Sequence, residues 1–173
     1  LVADLLDISK IESGRIKFNL NYFSFDNLLD NILEVMAQTY PDFKIARNGI
    51  AGQNIFGDEM RIEQVILNFI TNAIKYSPGT KEIQTFVNVC NDKIYFSVKD
   101  FGIGMSKEHQ QKVFNKFYRV EETSHRFQGL GLGLFICENV IKGHNGTIGV
   151  ISKQGEGSEF YFYIPINPSG NEK

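Results

Sequence analysis

Between Arg61 and Pro78 the chain reads Arg-Ile-Glu-Gln-Val-Ile-Leu-Asn-Phe-Ile-Thr-Asn-Ala-Ile-Lys-Tyr-Ser-Pro, a stretch with the period of a helix. Placed at about 100° per residue, Ile62, Ile66, Phe69, Ile70 and Ala73 share one apolar stripe. Arg61, Gln64, Asn68, Asn72 and Lys75 fall within about 80° of one another on the opposite side. Asparagine is a poor helix former, by at most roughly 0.7 kcal/mol relative to alanine. Two of them in mid-helix, four residues apart, stand side by side with a lysine one turn on. Such a row can supply oxygen ligands to Mg²⁺ and a cation to a phosphate. A solvated polar face has the same composition, so this helix alone leaves both readings open.

The 173 residues fit one domain, long enough to bury a core. A formal charge of −2 gives no long-range pull toward nucleic acid or anionic lipid, so any phosphate site has to be local. Cys90 and Cys137 lie in apolar stretches without metal-ligand or redox spacing and read as reduced core residues of a cytosolic domain. No apolar run approaches the roughly 18 residues of a membrane span, and no signal peptide is recognisable. The chain starts within a helical pattern and without an initiator Met, as an excised piece of a larger protein would.

In chain order, Leu1, Leu5, Ile8 and Ile11 predict the end of a helix capped by Gly14, with no obvious packing partner inside the chain. Alternation over Arg15–Tyr22 predicts a strand. Ser24 is placed to cap a helix that ends before Pro41, with Phe23 stapling against Leu28. Short strands are expected at Phe43–Arg47 and Asn54–Phe56, and Asp58 caps the central helix. Ile83–Cys90 and Lys93–Lys99 form a hairpin about Asn91-Asp92, and Ser106–Val113 is a short helix. Tyr118–Gln128 is polar and aperiodic, predicting a mobile loop. A helix from the Gly129–Leu134 run to about Lys142, then strands Gly146–Ile151 and Glu159–Ile164, close the chain before a polar tail.

Asp100-Phe-Gly-Ile-Gly104 sets a carboxylate at a strand mouth ahead of two glycines. A carboxylate can accept a hydrogen bond from an exocyclic amine, and glycine lets the backbone approach a flat base. A plain turn has the same letters. Gly129, Gly131 and Gly133 precede a helix, where backbone amides cradle phosphate, or where a hinge would sit. Neither GxGxxG nor GxxxxGK[ST] occurs, which disfavours the dinucleotide fold and the P-loop. Phe114 and Phe117 can anchor the base of the polar loop while Arg119 faces phosphate. His109, His125 and His144 have no partners at metal spacing and read as structural or surface residues. There is no GxSxG and no protein-kinase HRD context.

Together these ordered boxes (Arg61–Pro78, Asp100–Met105, Phe114–Arg119, Gly129–Leu134 and Gly155–Ser158) resemble the catalytic, ATP-binding domain of sensor histidine kinases. That domain belongs to the wider class of gyrase B, the Hsp90 chaperones and the MutL proteins. The resemblance covers nearly the whole chain. Leu1–Gly14 is similar to the end of the second dimerisation and phosphoacceptor helix, which implies residues 1–14 as that helix, 15–166 as the catalytic domain and 167–173 as tail.

The resemblance implies a two-layer α/β (α+β) sandwich, with a mixed, mostly antiparallel sheet of about five strands on about three helices. ATP would lie between the layers under a lid at about Tyr118–Gly131. Asp100 would bind the adenine amine, with Gly104 against the base and Tyr76 flanking the nucleotide. Asn68 would hold Mg²⁺ and Asn72 phosphate, with Lys75 and Arg119 on phosphates and Gly131 and Gly133 on their tail. The same boxes imply nucleotide contacts for Gly102, Phe117, Gly129, Leu132 and Ser158.

In the hydrolysing relatives the residue four before the second asparagine is a water-activating glutamate. Here it is Asn68, an amide that cannot act as a general base, which favours phosphoryl transfer over hydrolysis. The family's phosphoacceptor, a histidine followed by an acidic residue, does not occur, since His109 is followed by Gln110. The chain is therefore expected to bind ATP but to need an upstream helical domain for autophosphorylation. The implied partners are that domain and a response regulator receiver domain, with no nucleic acid. The implied parent is a homodimer anchored in the inner membrane, with this domain in the cytoplasm. The alternatives are a hydrolysing ATPase or serine kinase of the same class, or a non-catalytic interaction module.

Overall fold

The computed structural model describes residues 2–14, 16–120 and 129–167. In chain order the elements are α1 (Val2–Glu12), β1 (Asn21–Ser24), α2 (Phe25–Thr39), β2 (Lys44–Asn48), β3 (Asn54–Gly57), α3 (Glu59–Lys75), β4 (Glu82–Cys90), β5 (Lys93–Asp100), α4 (Lys107–Lys112), α5 (Gly133–Gly143), β6 (Thr147–Lys153) and β7 (Gly157–Pro165).

The β4–β5 hairpin is the centre of the sheet. Asn91 and Asp92 both take positive φ, 50° and 57°, the turn whose twist matches that of the flanking strands. Around it the strands lie in the order β2-β4-β5-β7-β6, with β2 parallel to β4 and every other pairing antiparallel. This is the mixed, mostly antiparallel sheet expected. β1 and β3 form a separate antiparallel pair.

Side chains alternate across a strand, so one face of each carries the apolar row. Ile83 and Val87 of β4, Ile94, Phe96 and Val98 of β5, and Phe160, Phe162 and Ile164 of β7 are buried under the helices. Phe25 of α2 meets Phe96 edge-on at 5.8 Å, and Phe69 of α3 lies 5.6 Å from Phe160. The same alternation carries Asp100 and Ser158 onto the helix-facing side, at the strand ends where the apolar core stops.

The caps come out where the sequence put them. Ser24 accepts from the Asn27 amide at 3.2 Å and opens α2, and Asp58 accepts from the Arg61 amide at 3.1 Å and opens α3.

Three expectations are corrected. The strand expected over Arg15–Tyr22 begins only at Asn21 and pairs with β3 rather than with the main sheet. Phe18 instead packs edge-on against His144 at 5.0 Å, and the Asn19 amide donates to Asp58 Oδ2 at 2.8 Å, so the alternation there reflects packing without a ladder. Cys90 is exposed and only Cys137 is buried, because Cys90 falls on the outward side at the end of β4.

The third correction concerns α1, which does have a partner in the chain. Ile8 is buried, and Asp7 accepts from Arg61 Nη1 at 2.7 Å and from Gln64 Nε2 at 3.1 Å. Glu12 pairs with Lys116. Burial works against the Asp7 charge, yet these hydrogen bonds and the charges of Arg61 and Lys10 hold its carboxyl below the ordinary range. Leu5 and Leu6 remain exposed. Among the described residues no helix is long and apolar enough to cross a membrane.

Candidate functional site

The polar row of α3 divides along its length. Arg61 and Gln64, at its start, turn to Asp7 on α1. Asn68, Asn72 and Lys75, one to three turns on, line a cavity of about 500 Å³, within the range of small-molecule sites. The opposite walls come from the Asp100–Ser106 turn, α4, the Tyr118–Val120 segment, Gly129 to Leu134 at the start of α5, and the β6–β7 turn.

At one end sits Asp100, 3 % exposed. Its Oδ1 accepts from the Gly102 amide at 2.9 Å and from the Ser158 amide at 3.2 Å. Burial raises its pKa above the carboxylate norm, and those two hydrogen bonds and the nearby Ser77 hydroxyl only partly offset it. Ser77 Oγ is wholly buried beside it and meets no partner at hydrogen-bonding geometry. A buried carboxylate that lines a cavity suits a ligand that brings its own donor.

At the other end Asn72 Nδ2 donates to Asn68 Oδ1 at 3.0 Å. The start of α5 abuts this pair. A Cβ on Gly133 would stand 2.3 Å from Asn68 Nδ2, so only glycine allows the approach. Helix α5 has no side-chain cap at its N-terminus, and Leu132 and Gly133 line the cavity there. Uncapped amides and the helix dipole favour an anion, and Lys75 and Arg119 add two cations to the same walls. The Lys75 ammonium lies 5.0 Å from the centre of the Tyr76 ring. Asp100 is the one carboxylate among the described lining residues.

Of the residues named from the sequence, Asn68, Asn72, Lys75, Tyr76, Asp100, Gly104, Arg119, Gly129, Gly131, Leu132, Gly133 and Ser158 line this single cavity. Two do not. Gly102 lies behind the wall, where a Cβ would strike the Tyr76 carbonyl oxygen at 2.0 Å, so it serves the packing of the turn on the end of α3. Phe117 is 58 % exposed with Lys116 over its ring, and its contribution is a backbone hydrogen bond to Gly131 O at 3.0 Å. Of the expected lid, Tyr118–Val120 and Gly129–Gly131 line the cavity, while residues 121–128, with His125, lie outside the described residues.

The sequence reading missed His109, and it named Tyr118 only as the start of the lid. Both line the cavity, with His109 Nδ1 and Tyr118 Oη 2.6 Å apart. The available signal was the helix cap: Ser106 opens α4, and a residue three positions later shares its face. His144 is structural, as expected. Its Nε2 accepts from the Asp58 amide at 2.9 Å and its Nδ1 donates to Val140 O at 2.7 Å.

Comparison with known proteins returns one family, described as histidine kinase-, DNA gyrase B-, and HSP90-like ATPase, which matches residues 57–168. The adaptive-response sensory kinase SasA of Prochlorococcus marinus is 40 % identical over 114 residues, 65 % of this chain and 30 % of that protein. The sensor histidine kinase WalK of Bacillus subtilis is 34 % identical over 170 residues, 95 % of this chain and 28 % of that protein. The chain thus spans less than a third of either relative. Among solved structures, full-length ShkA in complex with AMPPNP superposes with a TM-score of 0.83 at 27 % identity, over 95 % of this chain and 35 % of that one. The catalytic domain of the histidine kinase ThkA, free of nucleotide, gives 0.73 at 26 % identity over 88 % and 98 %.

Proposed function

The chain belongs to the family of histidine kinase-, DNA gyrase B- and HSP90-like ATPases, and from that premise we propose that it is the ATP-binding catalytic domain of a sensor histidine kinase. Its reaction would be transfer of the γ-phosphoryl group of ATP to a histidine on an upstream helical domain of the parent protein. The observation that carries this reading is the shared cavity of Asn68, Asn72, Lys75 and Asp100, with its carboxylate at one end and its cations and uncapped helix start at the other.

In this reading the Asp100 carboxylate accepts from the adenine amine, and Gly104, Ile103 and Met105 flank the base. Lys75, Arg119 and the amides at Leu132 and Gly133 hold the phosphates. The residues also fit a magnesium ion carried by the nucleotide. Asn68 Oδ1 uses one lone pair on Asn72 and keeps the other, a hard neutral oxygen of the kind Mg²⁺ accepts beside phosphates and water. Among the described residues no cluster of three His, Cys, Asp or Glu offers a resident cage instead. Bound there, Mg²⁺ would withdraw charge from the phosphate oxygens.

The chain's own part is then positioning and charge stabilisation, the usual demand of phosphoryl transfer. Lys75 and Arg119 offset charge on the transferred group. Asn68 stands where a hydrolysing relative would carry its water-activating glutamate, and among the described lining residues no carboxylate besides Asp100 is present, which supports transfer over hydrolysis. The parent would be a membrane-anchored homodimer that passes its phosphate to a receiver domain. A ThkA structure in complex with its response regulator TrrA shares this fold, with a TM-score of 0.77.

The test is to mix this domain with the parent's upstream helical segment and γ-labelled ATP. Acid-labile label on that segment supports the reading, and steady phosphate release without label on it favours the hydrolysing alternative.

A further inference from the structure

The cavity has one titratable wall that the reading above leaves without a task. His109 is the one histidine among its described lining residues, and Nδ1 of its ring lies 2.6 Å from the hydroxyl of Tyr118, which lines the cavity too. The pair is held in place from both sides. Helix α4 is fastened to β6 by Gln110, whose Nε2 donates to Ser152 O at 2.9 Å and whose Oε1 accepts from the Ser152 amide at 3.3 Å. The Ser106 hydroxyl accepts from the His109 amide at 3.3 Å. Beyond Tyr118, Phe117 N is tied to Gly131 O. The phenol therefore bridges α4 and the glycine run that leads to the phosphate end.

A phenol has one proton to donate. When the imidazole Nδ1 is bare, Tyr118 gives that proton to His109 and offers the cavity only an acceptor. When Nδ1 carries a proton, His109 donates to Tyr118 Oη, and the phenol proton is released toward the cavity. A nucleotide presents acceptor oxygens on its ribose and phosphates, so the second state binds it better. An imidazolium has both nitrogens protonated and is confined to that second state.

We propose that His109 is a positioning residue for the bound nucleotide: it sets the direction in which the Tyr118 hydroxyl donates, and so couples nucleotide affinity to proton uptake. This rests on the nucleotide reading of the cavity. Among the described residues, the other charged and titratable groups around the pair are Glu108 and Lys112 on α4, and Arg119, Lys75, Tyr76 and Asp100 on the cavity walls.

The test is calorimetric titration of this chain with Mg-AMPPNP at about pH 6 and about pH 8, the span in which histidine titrates. His109→Ala supplies the background that comes from the nucleotide's own protonation. The affinity ratio between the two pH values is expected to be about fivefold larger in the unmodified chain than in His109→Ala, the size of one hydrogen bond. Tyr118→Phe should collapse the ratio to that background, and the double variant should lose no more. His109→Gln keeps an atom for the phenol to bond and cannot titrate, so it should regain at least half of the affinity lost in His109→Ala, with the background ratio. A merely structural role would move affinity without moving the ratio. Equal ratios in the unmodified chain and His109→Ala overturn the inference, as does a Tyr118→Phe variant that keeps the full ratio. If His109→Ala loses its melting transition, Tyr118→Phe and His109→Gln carry the comparison. No saturable binding by the unmodified chain overturns the nucleotide reading and this inference together, whereas saturable binding with equal ratios overturns the inference alone.

Discussion

Asn72 Nδ2 donates to Asn68 Oδ1 across one turn of α3, at 3.0 Å. The bond orients both amides. It leaves Asn68 with one free lone pair on its oxygen, and Asn72 with its own oxygen for a donor or metal. A charged oxygen at position 68 would bind a divalent cation more strongly while leaving the base end untouched. Asn68→Asp is therefore expected to shift the Mg²⁺ concentration for half-maximal nucleotide binding by about tenfold, or ~1.4 kcal/mol, and to change saturating affinity less. Titration of Mg²⁺ at fixed nucleotide checks this, and an unchanged curve counts against the metal role.

Asp100 carries an opposed pair of demands. Burial raises its pKa in the folded chain, so the folded state holds the proton more tightly than the unfolded one. Stability from that proton is complete below the ordinary carboxylate range and is lost as pH rises through the folded value. At neutral pH the ionised group is a cost to the folded state. Asp100→Asn should thus melt higher than the parent without nucleotide, yet bind adenine nucleotides at least about tenfold more weakly. Thermal melts with and without Mg-AMPPNP read both effects, and affinity within about twofold of the parent's (roughly 0.4 kcal/mol) refutes the adenine assignment.

Gly133 is required by its neighbour rather than by its own backbone. A Cβ there would stand 2.3 Å from Asn68 Nδ2, the movable end of a side chain. Gly133→Ala should leave the melting temperature within about 4 °C of the parent, about 1 kcal/mol or less, because an amide can swing aside. The displaced amide should nevertheless weaken Mg-nucleotide binding by about tenfold. A variant that binds normally would detach this contact from function.

His144 governs acid sensitivity. Burial holds its pKa below the ordinary 6.5, against the pull of its bond to Val140 and the Asp58 charge. The neutral ring, which accepts from the Asp58 amide, is the folded form. Its contribution is whole above pH 6.5 and declines as pH falls from there toward the lowered folded value. Urea unfolding at stepped pH should show the parent losing more stability below neutrality than His144→Gln. His144→Ala should cost about 1–3 kcal/mol by stranding the Asp58 amide. Parallel pH curves for parent and His144→Gln would contradict this role.

What could be read from the sequence followed from local rules. The caps at Ser24 and Asp58, the positive-φ turn at Asn91-Asp92 and the two faces of α3 each depend on neighbours within a few residues. The position of Asp100 followed from alternation, since Ile94, Phe96 and Val98 fix which side of β5 faces the helices. What escaped depends on distant partners. Phe18 alternates like a strand residue but finds His144 instead of a ladder, and the Asp7–Arg61 pair joins residues 54 positions apart. His109 was legible as a residue of α4 but not as a wall of the cavity, because Tyr118 reaches it only through the folded turn. Gly102 and Phe117 were assigned to the nucleotide by resemblance, and neither lines the cavity: Gly102 lies against the Tyr76 carbonyl and the Phe117 ring is exposed.

The central claim is that one magnesium nucleotide spans the cavity from Asp100 to Asn68. Its most direct test is a crystal structure of this chain with Mg-AMPPNP. The expected result is the adenine amine within hydrogen-bond distance of the Asp100 carboxylate, with the phosphates against Asn72, Lys75 and the start of α5 and the metal on Asn68 Oδ1. Nucleotide density on another surface, or a base turned away from Asp100, would contradict it.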